Sequence, residues 1–225
     1  MNVLGLDSAT GACSAAWWRR DRIVARRFAV MVRGQSESLV TMAAAVAAEA
    51  EPAAQYPFDR LDLIAITVGP GAFTGLRIGL AAAQGLAVAT GAALVGVTTL
   101  EAVAAGLAPE QRTRHLAVAL ETKRNDIYWQ VFDPALMPLT EPAAVSVDMI
   151  RAALANYDGV TLLGDAARRI DTGGRDVARV EGPGLPDAAA IATLAAARGA
   201  GNGQPAVPLY LRPPDVTLTP KPGVP

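Results

Sequence analysis

Asp7-Ser8-Ala9-Thr10-Gly11 closes a short apolar strand with a carboxylate, two hydroxyls and a glycine. That set can present hydroxyls and backbone N–H groups to a phosphate, so Asp7, Ser8 and Thr10 are candidates for a vestigial phosphate loop. It can equally make a hairpin turn in which Asp and Ser bond their own backbone, and taken alone the turn is the favoured reading. A second glycine set, Gly69-Pro70-Gly71 with Gly75, departs from G-x-G-x-x-G and from the P-loop, and no lysine follows it. Cys13 is the single cysteine and His115 the single histidine. That excludes a disulfide framework and a cysteine zinc cluster, and makes a Ser/His/Asp triad improbable. Cys13 has no base close by in sequence, which favours a buried, inert thiol. Asp, Glu and His show no metal-ligand spacing, so no metal site is expected on this chain.

These groups hang on the stretch Val68–Gly85. The β-branched run Leu63–Val68 predicts a buried strand, Gly69-Pro70-Gly71 a tight turn, and residues 74–89 a helix. Gly75, Gly79, Ala82 and Ala83 strip one face of that helix of side chains. Each interior glycine costs about 1 kcal/mol of helix propensity, so something must pack closely on the bare side. Composition alone ranks first a helix lying on its own sheet, ahead of a docking face for a second helix pair or a phosphate seat at the helix N-terminus.

The whole chain of 225 residues is 52% apolar and 18% charged with a formal net charge of −1, so it holds a sizeable core and no global field toward nucleic acid or membrane. Arg19, Arg20, Arg22, Arg26, Arg27 and Arg33 make residues 19–33 the most basic region. An RNA-facing edge is one reading, and solvated strand edges that discourage pairing are the favoured one. The N-terminus lacks the pattern of a secretory signal. The apolar stretch 80–97 is rich in Ala and interrupted by Gln84 and Thr90, so it reads as helix plus strand; a cytoplasmic protein without a membrane span is expected.

In order, the chain predicts strands at 3–7, Cys13–Trp18 and Ile23–Val30, a helix capped by Ser36, the strand and helix just described, a strand at Ala93–Val97, and a helix opened by the capping box Thr98-x-x-Glu101. From Arg112 the pattern restarts. Strands are expected at Leu116–Leu120 and Ile127–Phe132 across the charged hairpin 121–126, with a short third piece near Leu136–Leu139. A helix capped by Ser146, a strand at Val160–Leu163 and a last helix capped by Asp187 follow; the Gly/Pro-rich tail from Gly201 reads as extended or mobile. The second half is a shortened copy of the first, giving an α/β chain of two facing lobes, 1–107 and 108–225.

Four blocks carry a resemblance: Val3-Leu4-Gly5-Leu6-Asp7-Ser8-Ala9-Thr10, Val68–Gly85, Val97-Thr98-Thr99-Leu100-Glu101-Ala102, and Pro208-Leu209-Tyr210-Leu211-Arg212-Pro213-Pro214-Asp215. Together they resemble the TsaB (YeaZ) family, nearly end to end. The resemblance implies the two-lobed actin-like ATPase (ribonuclease H-like) fold. It implies a non-catalytic subunit in making threonylcarbamoyladenosine at position 37 of tRNA. The implied partners are TsaD, a paralogue that holds the metal and transfers the threonylcarbamoyl group, and the ATPase TsaE; tRNA is met indirectly. ATP and a metal ion are then expected on the partner subunits, and no cofactor on this chain. The family's dimer contact uses its first two helices, which map onto Ser36–Glu49 and Thr74–Ala89. Gly75, Gly79 and Ala83 would let helix axes approach, Leu39, Met42, Val46, Leu76 and Leu80 would fill the seam, and Arg77 and Gln84 would form its polar rim. A homodimer is expected when the chain is alone. Where the family has His-Ser-Glu and Asp-Ala-Arg, this chain has Gln35-Ser36-Glu37 and Glu121-Thr122-Lys123-Arg124. The rival readings are a nucleotide-dependent kinase or ATPase of the same fold using Asp7, Ser8 and Thr10, a peptidase, and direct tRNA binding through residues 19–33.

Overall fold

A computed structural model describes residues 1–182 and 184–212. The first three strands, β1 (Asn2–Asp7), β2 (Ala12–Arg19) and β3 (Arg22–Val30), form an antiparallel meander whose second turn puts Arg20 and Asp21 at positive φ. Helix α1 (Gln35–Ala50) leads through a loop to β4 (Leu63–Gly69), buried along its whole length beside β1. Helix α2 (Phe73–Thr90) returns the chain to β5 (Ala93–Thr98), parallel to β4, and α3 (Thr99–Ala105) follows at once. The sheet order is β3-β2-β1-β4-β5.

The second half repeats this. Its strands are β6 (His115–Glu121), β7 (Asp126–Phe132), β8 (Ala143–Ser146), β9 (Val160–Leu163) and β10 (Val177–Arg179), with α4 (Val147–Ala153) between β8 and β9. Read as β8-β7-β6-β9-β10, the second sheet matches the first strand for strand. Where the first half places α2, the second has only a 3-10 turn, Ala167–Arg169, and loop. The shortening expected from the sequence sits at that point.

Alternation along the strands sorts the core into layers. Leu4, Leu6, Ile64 and Ile66 point to α1 and α2, while Val3, Leu63, Ala65, Val95 and Val97 point to the last helix, α5 (Ala188–Arg198). Leu116, Val118, Leu120 and Phe132 of the second sheet pack on α3, and Ala117, Ala119, Trp129 and Leu162 pack on α4. The order is therefore α1 and α2, first sheet, α3 with α5, second sheet, α4. Two central helices between the sheets explain why β1, β4 and β6 read as apolar runs without alternation.

Four expectations need correction. The sequence assigns the last helix to the second lobe, but α5 lies on the first sheet: Ser14 Oγ accepts from Ala188 N at 2.9 Å, and a Cβ on Gly5 would fall 2.2 Å from Ala188 O. The third strand of the second lobe lies at Ala143–Ser146; near Leu136–Leu139 the chain makes one bridge, Pro138 to Phe132, because Leu136 turns through positive φ. Helix α1 starts at Gln35 behind Gly34 (φ 92°) without a side-chain cap, so Ser36 lies inside the first turn. The tail does not leave the surface at Gly201: Gln204 O accepts from Gly96 N and Val68 O from Leu209 N, each at 2.7 Å. Residues 213–225, including Pro213-Pro214-Asp215, lie outside the described residues. The caps expected at Thr98, Ser146 and Asp187 are made, to Glu101, Met149 and Ala189 N.

Candidate partner-binding surface

Strand β4 ends in Gly69, and the turn to Gly71 aims α2 across the end of β1. The bare face of α2 is the one that lands there. A Cβ on Gly71 would sit 2.3 Å from Ala9 O, and one on Gly75 2.1 Å from Ser8 O. One on Gly79 would sit 2.7 Å from Ser8 Oγ and 3.0 Å from Ile66 Cδ1. The close approach is tied by hydrogen bonds: Ser8 Oγ donates to Gly75 O at 2.9 Å, and Ala72 N donates to Ala9 O at 2.7 Å. The glycines thus seat α2 on its own strand and turn.

This overturns the expected seam. Leu39, Val46, Gly75, Leu76, Gly79, Leu80 and Ala83 are buried in the chain's own core, and Met42 is half-buried against it. Of the residues expected at the seam only Arg77 and Gln84 are exposed. The helices are the expected ones; the face is the wrong one. Small residues on a helix mark a close approach without naming what approaches, and here it is the turn after β1, with Ile66 of β4.

The outward face has its own character. On α1 it presents Val40, Thr41, Ala44 and Ala48; on α2 it presents Ala81, Gln84, Gly85 and Val88. Val88 is 88% exposed and Val40 51%, and a Cβ on Gly85 would meet nothing within 4 Å. The two helices carry charge only at Glu37, Glu49 and Arg77. Glu49 is held by Arg27 at 2.7 Å, while the Arg77 guanidinium lies 3.8 Å over the Phe73 ring. In the sequence the spacing 40, 44, 48 and 81, 85, 88 is a chargeless helical stripe, a weaker signal than the glycines of the opposite face.

The turn at the end of β1 is buried under α2. Asp7 and Ser8 are buried and Thr10 is half-buried. Asp7 Oδ1 accepts from Thr67 Oγ1 at 2.7 Å and from Ala9 N at 3.1 Å, whereas Oδ2 has no partner among the described residues. Desolvation raises the Asp7 pKa to about 7, against the hydrogen bonds from Thr67 and Ala9, with Asp187 adding to the rise. Burial, with Asp7 nearby, pushes the Cys13 thiol up to about 11, so it stays protonated and inert at neutral pH.

Half of the basic segment is neutralised within the chain: Arg19 pairs with Glu51, Arg26 with Asp187 and Arg27 with Glu49. The hairpin 121–126 is likewise held, Glu121 by Arg169 at 2.7 Å and Asp126 by Arg212. Between this hairpin and the start of α2 lies a cavity of about 370 Å³, lined by Phe73, Thr122, Arg124, Tyr128, Tyr210 and Arg212 among others. Among the described residues no three His, Cys, Asp or Glu side chains group as a metal site, and no helix is long and apolar enough to cross a membrane.

Residues 30–172 match the family model described as TsaD, tRNA N6-adenosine threonylcarbamoyltransferase. The chain is 30% identical over 129 residues to the tRNA threonylcarbamoyladenosine biosynthesis protein TsaB of Escherichia coli, a match covering 57% of this chain and 54% of that protein. It thus spans about half the length of that curated relative. It is 31% identical over 215 residues to an uncharacterized protein of Mycobacterium tuberculosis, covering 95% of this chain and 92% of that one. The YeaZ structure from Pseudomonas aeruginosa superposes with a TM-score of 0.74 at 26% identity, over 93% of this chain and 99% of that one. An Arthrobacter polyphosphate/ATP-glucomannokinase shares the fold alone, with a TM-score of 0.51 at 12% identity over 87% and 97%. With two matching mixed sheets and helices between and outside them, the fold is the two-lobed actin-like ATPase fold, and the chain belongs to the TsaB (YeaZ) family.

Proposed function

We propose that this chain is a non-catalytic subunit in the synthesis of threonylcarbamoyladenosine on tRNA, the process named for its Escherichia coli relative. Its task is to bind a TsaD paralogue, with TsaE joining them, and tRNA is engaged through those partners in the cytoplasm. ATP and the metal ion belong to the partner subunits. The observation that carries this reading is the outward face of α1 and α2, where Val40 and Val88 stand exposed among Ala44, Ala48, Ala81 and Gly85. Small side chains let a second helix pair approach closely, and a face almost without charge imposes little desolvation cost. When the chain is alone, a second copy covers the same face as a homodimer. The turn at Asp7, Ser8 and Thr10 supports the non-catalytic part: its backbone and the Ser8 hydroxyl are engaged by α2 rather than turned toward a cleft.

The substitution to use is Ala81→Arg, on the outward face, and not a change at Gly79, whose added side chain would strike Ser8 and Ile66. Ala81→Arg is expected to keep the wild-type far-ultraviolet circular dichroism, to turn the homodimer into a folded monomer, and to abolish co-purification with the TsaD paralogue. A variant that still co-purifies in full yield removes the face from consideration.

A further inference from the structure

We infer that residues Gly203–Arg212 act as a strap that couples the exposed first turn of α2 to the charged hairpin of the second lobe. The strap is first fixed to the first lobe. Gly96 N donates to Gln204 O and Leu209 N to Val68 O, both at 2.7 Å, and a Cβ on Gly69 would stand 2.6 Å from Leu209 O. The middle of β5 and the end of β4 therefore leave the strap no slack.

One residue on, the strap shares a cluster with α2. The Tyr210 ring lies 5.4 Å from the Phe73 ring at 32°, the Arg77 guanidinium covers Phe73 at 3.8 Å, and Arg77 Nε donates to the Tyr210 hydroxyl at 3.4 Å. Such ring and cation–π contacts hold the three side chains as one unit. Phe73 and Tyr210 are each 41% exposed, so a body resting on the outward face of α2 would reach them.

Two residues further, Arg212 pairs with Asp126. Asp126 is no loose end. Thr122 Oγ1 donates to its carboxylate at 2.7 Å, and Arg169 clamps the hairpin through Glu121 at 2.7 Å and the Arg124 and Asn125 carbonyls at 3.0 and 3.1 Å. The hairpin therefore moves with the second sheet. Between it and Phe73 lies the cavity of about 370 Å³, so at this place the strap bridges two bodies that do not pack directly. A displacement of the Phe73–Tyr210 unit has a path to the second lobe and room to be taken up. By linkage, whatever biases one end biases the other equally.

The identity of the body that rests on α2 relies on the function proposed above; the coupling itself does not, and it is tested in the free full-length chain. Hydrogen exchange is followed at the hairpin amides, residues 123–127. Phe73→Ala, a change confined to the exposed turn, is expected to speed that exchange by about threefold or more in the wild-type background and to have no effect when Arg212→Ala is already present. Arg212→Lys, which keeps the charge, restores a partial response. Should Arg212→Ala fail to fold, Arg212→Gln serves the same comparison. Equal responses to Phe73→Ala in both backgrounds, or none in wild type, overturn the strap. In a second arm the TsaD paralogue is added: protection of the hairpin in wild type but not in Arg212→Ala, at equal affinity, extends the coupling to the partner. If that paralogue does not bind at all, the proposed function falls while the free-chain result stands by itself.

Discussion

Asp7 is a carboxyl buried among Leu6, Thr67 and the turn that α2 covers, and its pKa of about 7 follows from the loss of water. The sign of its effect on stability is unusual for a carboxylate. Its folded pKa lies above the unfolded value near 3.8, so the native state holds the proton more tightly between those limits. Its stabilising contribution is complete in acid and is lost as pH rises from about 4 through about 7, after which it is level. Asp7→Asn keeps an acceptor for Thr67 and Ala9 while removing the charge. It should leave stability near pH 4 almost unchanged and raise it at pH 8 by on the order of 2–4 kcal/mol. Urea titrations at the two pH values check this; an equal shift at both would mean that Asp7 is not protonated in the native state at low pH. Nothing in the sequence marked Asp7 as buried, because Asp-Ser at a strand end is the composition of an exposed turn. The covering element, α2, begins 66 residues later in the chain.

At the scale of the element, α2 explains both what the sequence disclosed and what it hid. Its existence and length follow from the apolar run and the turn glycines. The orientation of its bare face does not, since propensity and periodicity are silent on whether a gap is filled by the chain or by another molecule. Glycine on the two faces should answer oppositely. Gly75→Ala drives a Cβ to 2.1 Å from a backbone carbonyl oxygen and should cost about 3 kcal/mol or more, because the backbone itself must give. Gly85→Ala meets open space within the chain and, at dilutions where the chain is monomeric, should gain about 0.5–1 kcal/mol of helix stability. Thermal melts of the two variants settle the orientation of α2 with no partner in the tube. The same limit governs the other elements. Side-chain caps at Thr98, Ser146 and Asp187 were legible because the bond is local, whereas α1, which begins behind a left-handed glycine, was misplaced at its cap. Strand β10, only three residues long, gave no periodic signal at all.

For the whole molecule the internal repeat was legible and its closure was not. The matching strand orders come from two similar sequences of strands and helices, which a pass along the chain can detect. The return of α5 to the first sheet is signalled only by Gly5, a glycine inside an apolar strand, where a missing side chain marks a backbone passing close by. That return makes the lobes interdependent. Without residues 188–198, one face of the first sheet would expose Val3, Leu63, Ala65, Val95 and Val97, all of them buried in the intact chain. At roughly 1.5–3 kcal/mol for each large side chain returned to water, the loss rivals the whole stability of a domain. A fragment of residues 1–107 is therefore expected to lack fixed tertiary structure, with near-ultraviolet circular dichroism from Trp17 and Trp18 close to zero. Mixing it with residues 108–225 should restore the signal, because α5 arrives with the second fragment. A cooperative melt from the 1–107 fragment alone would show that the first sheet closes its core without α5, and that the two halves are domains in the independent sense that the layering argues against.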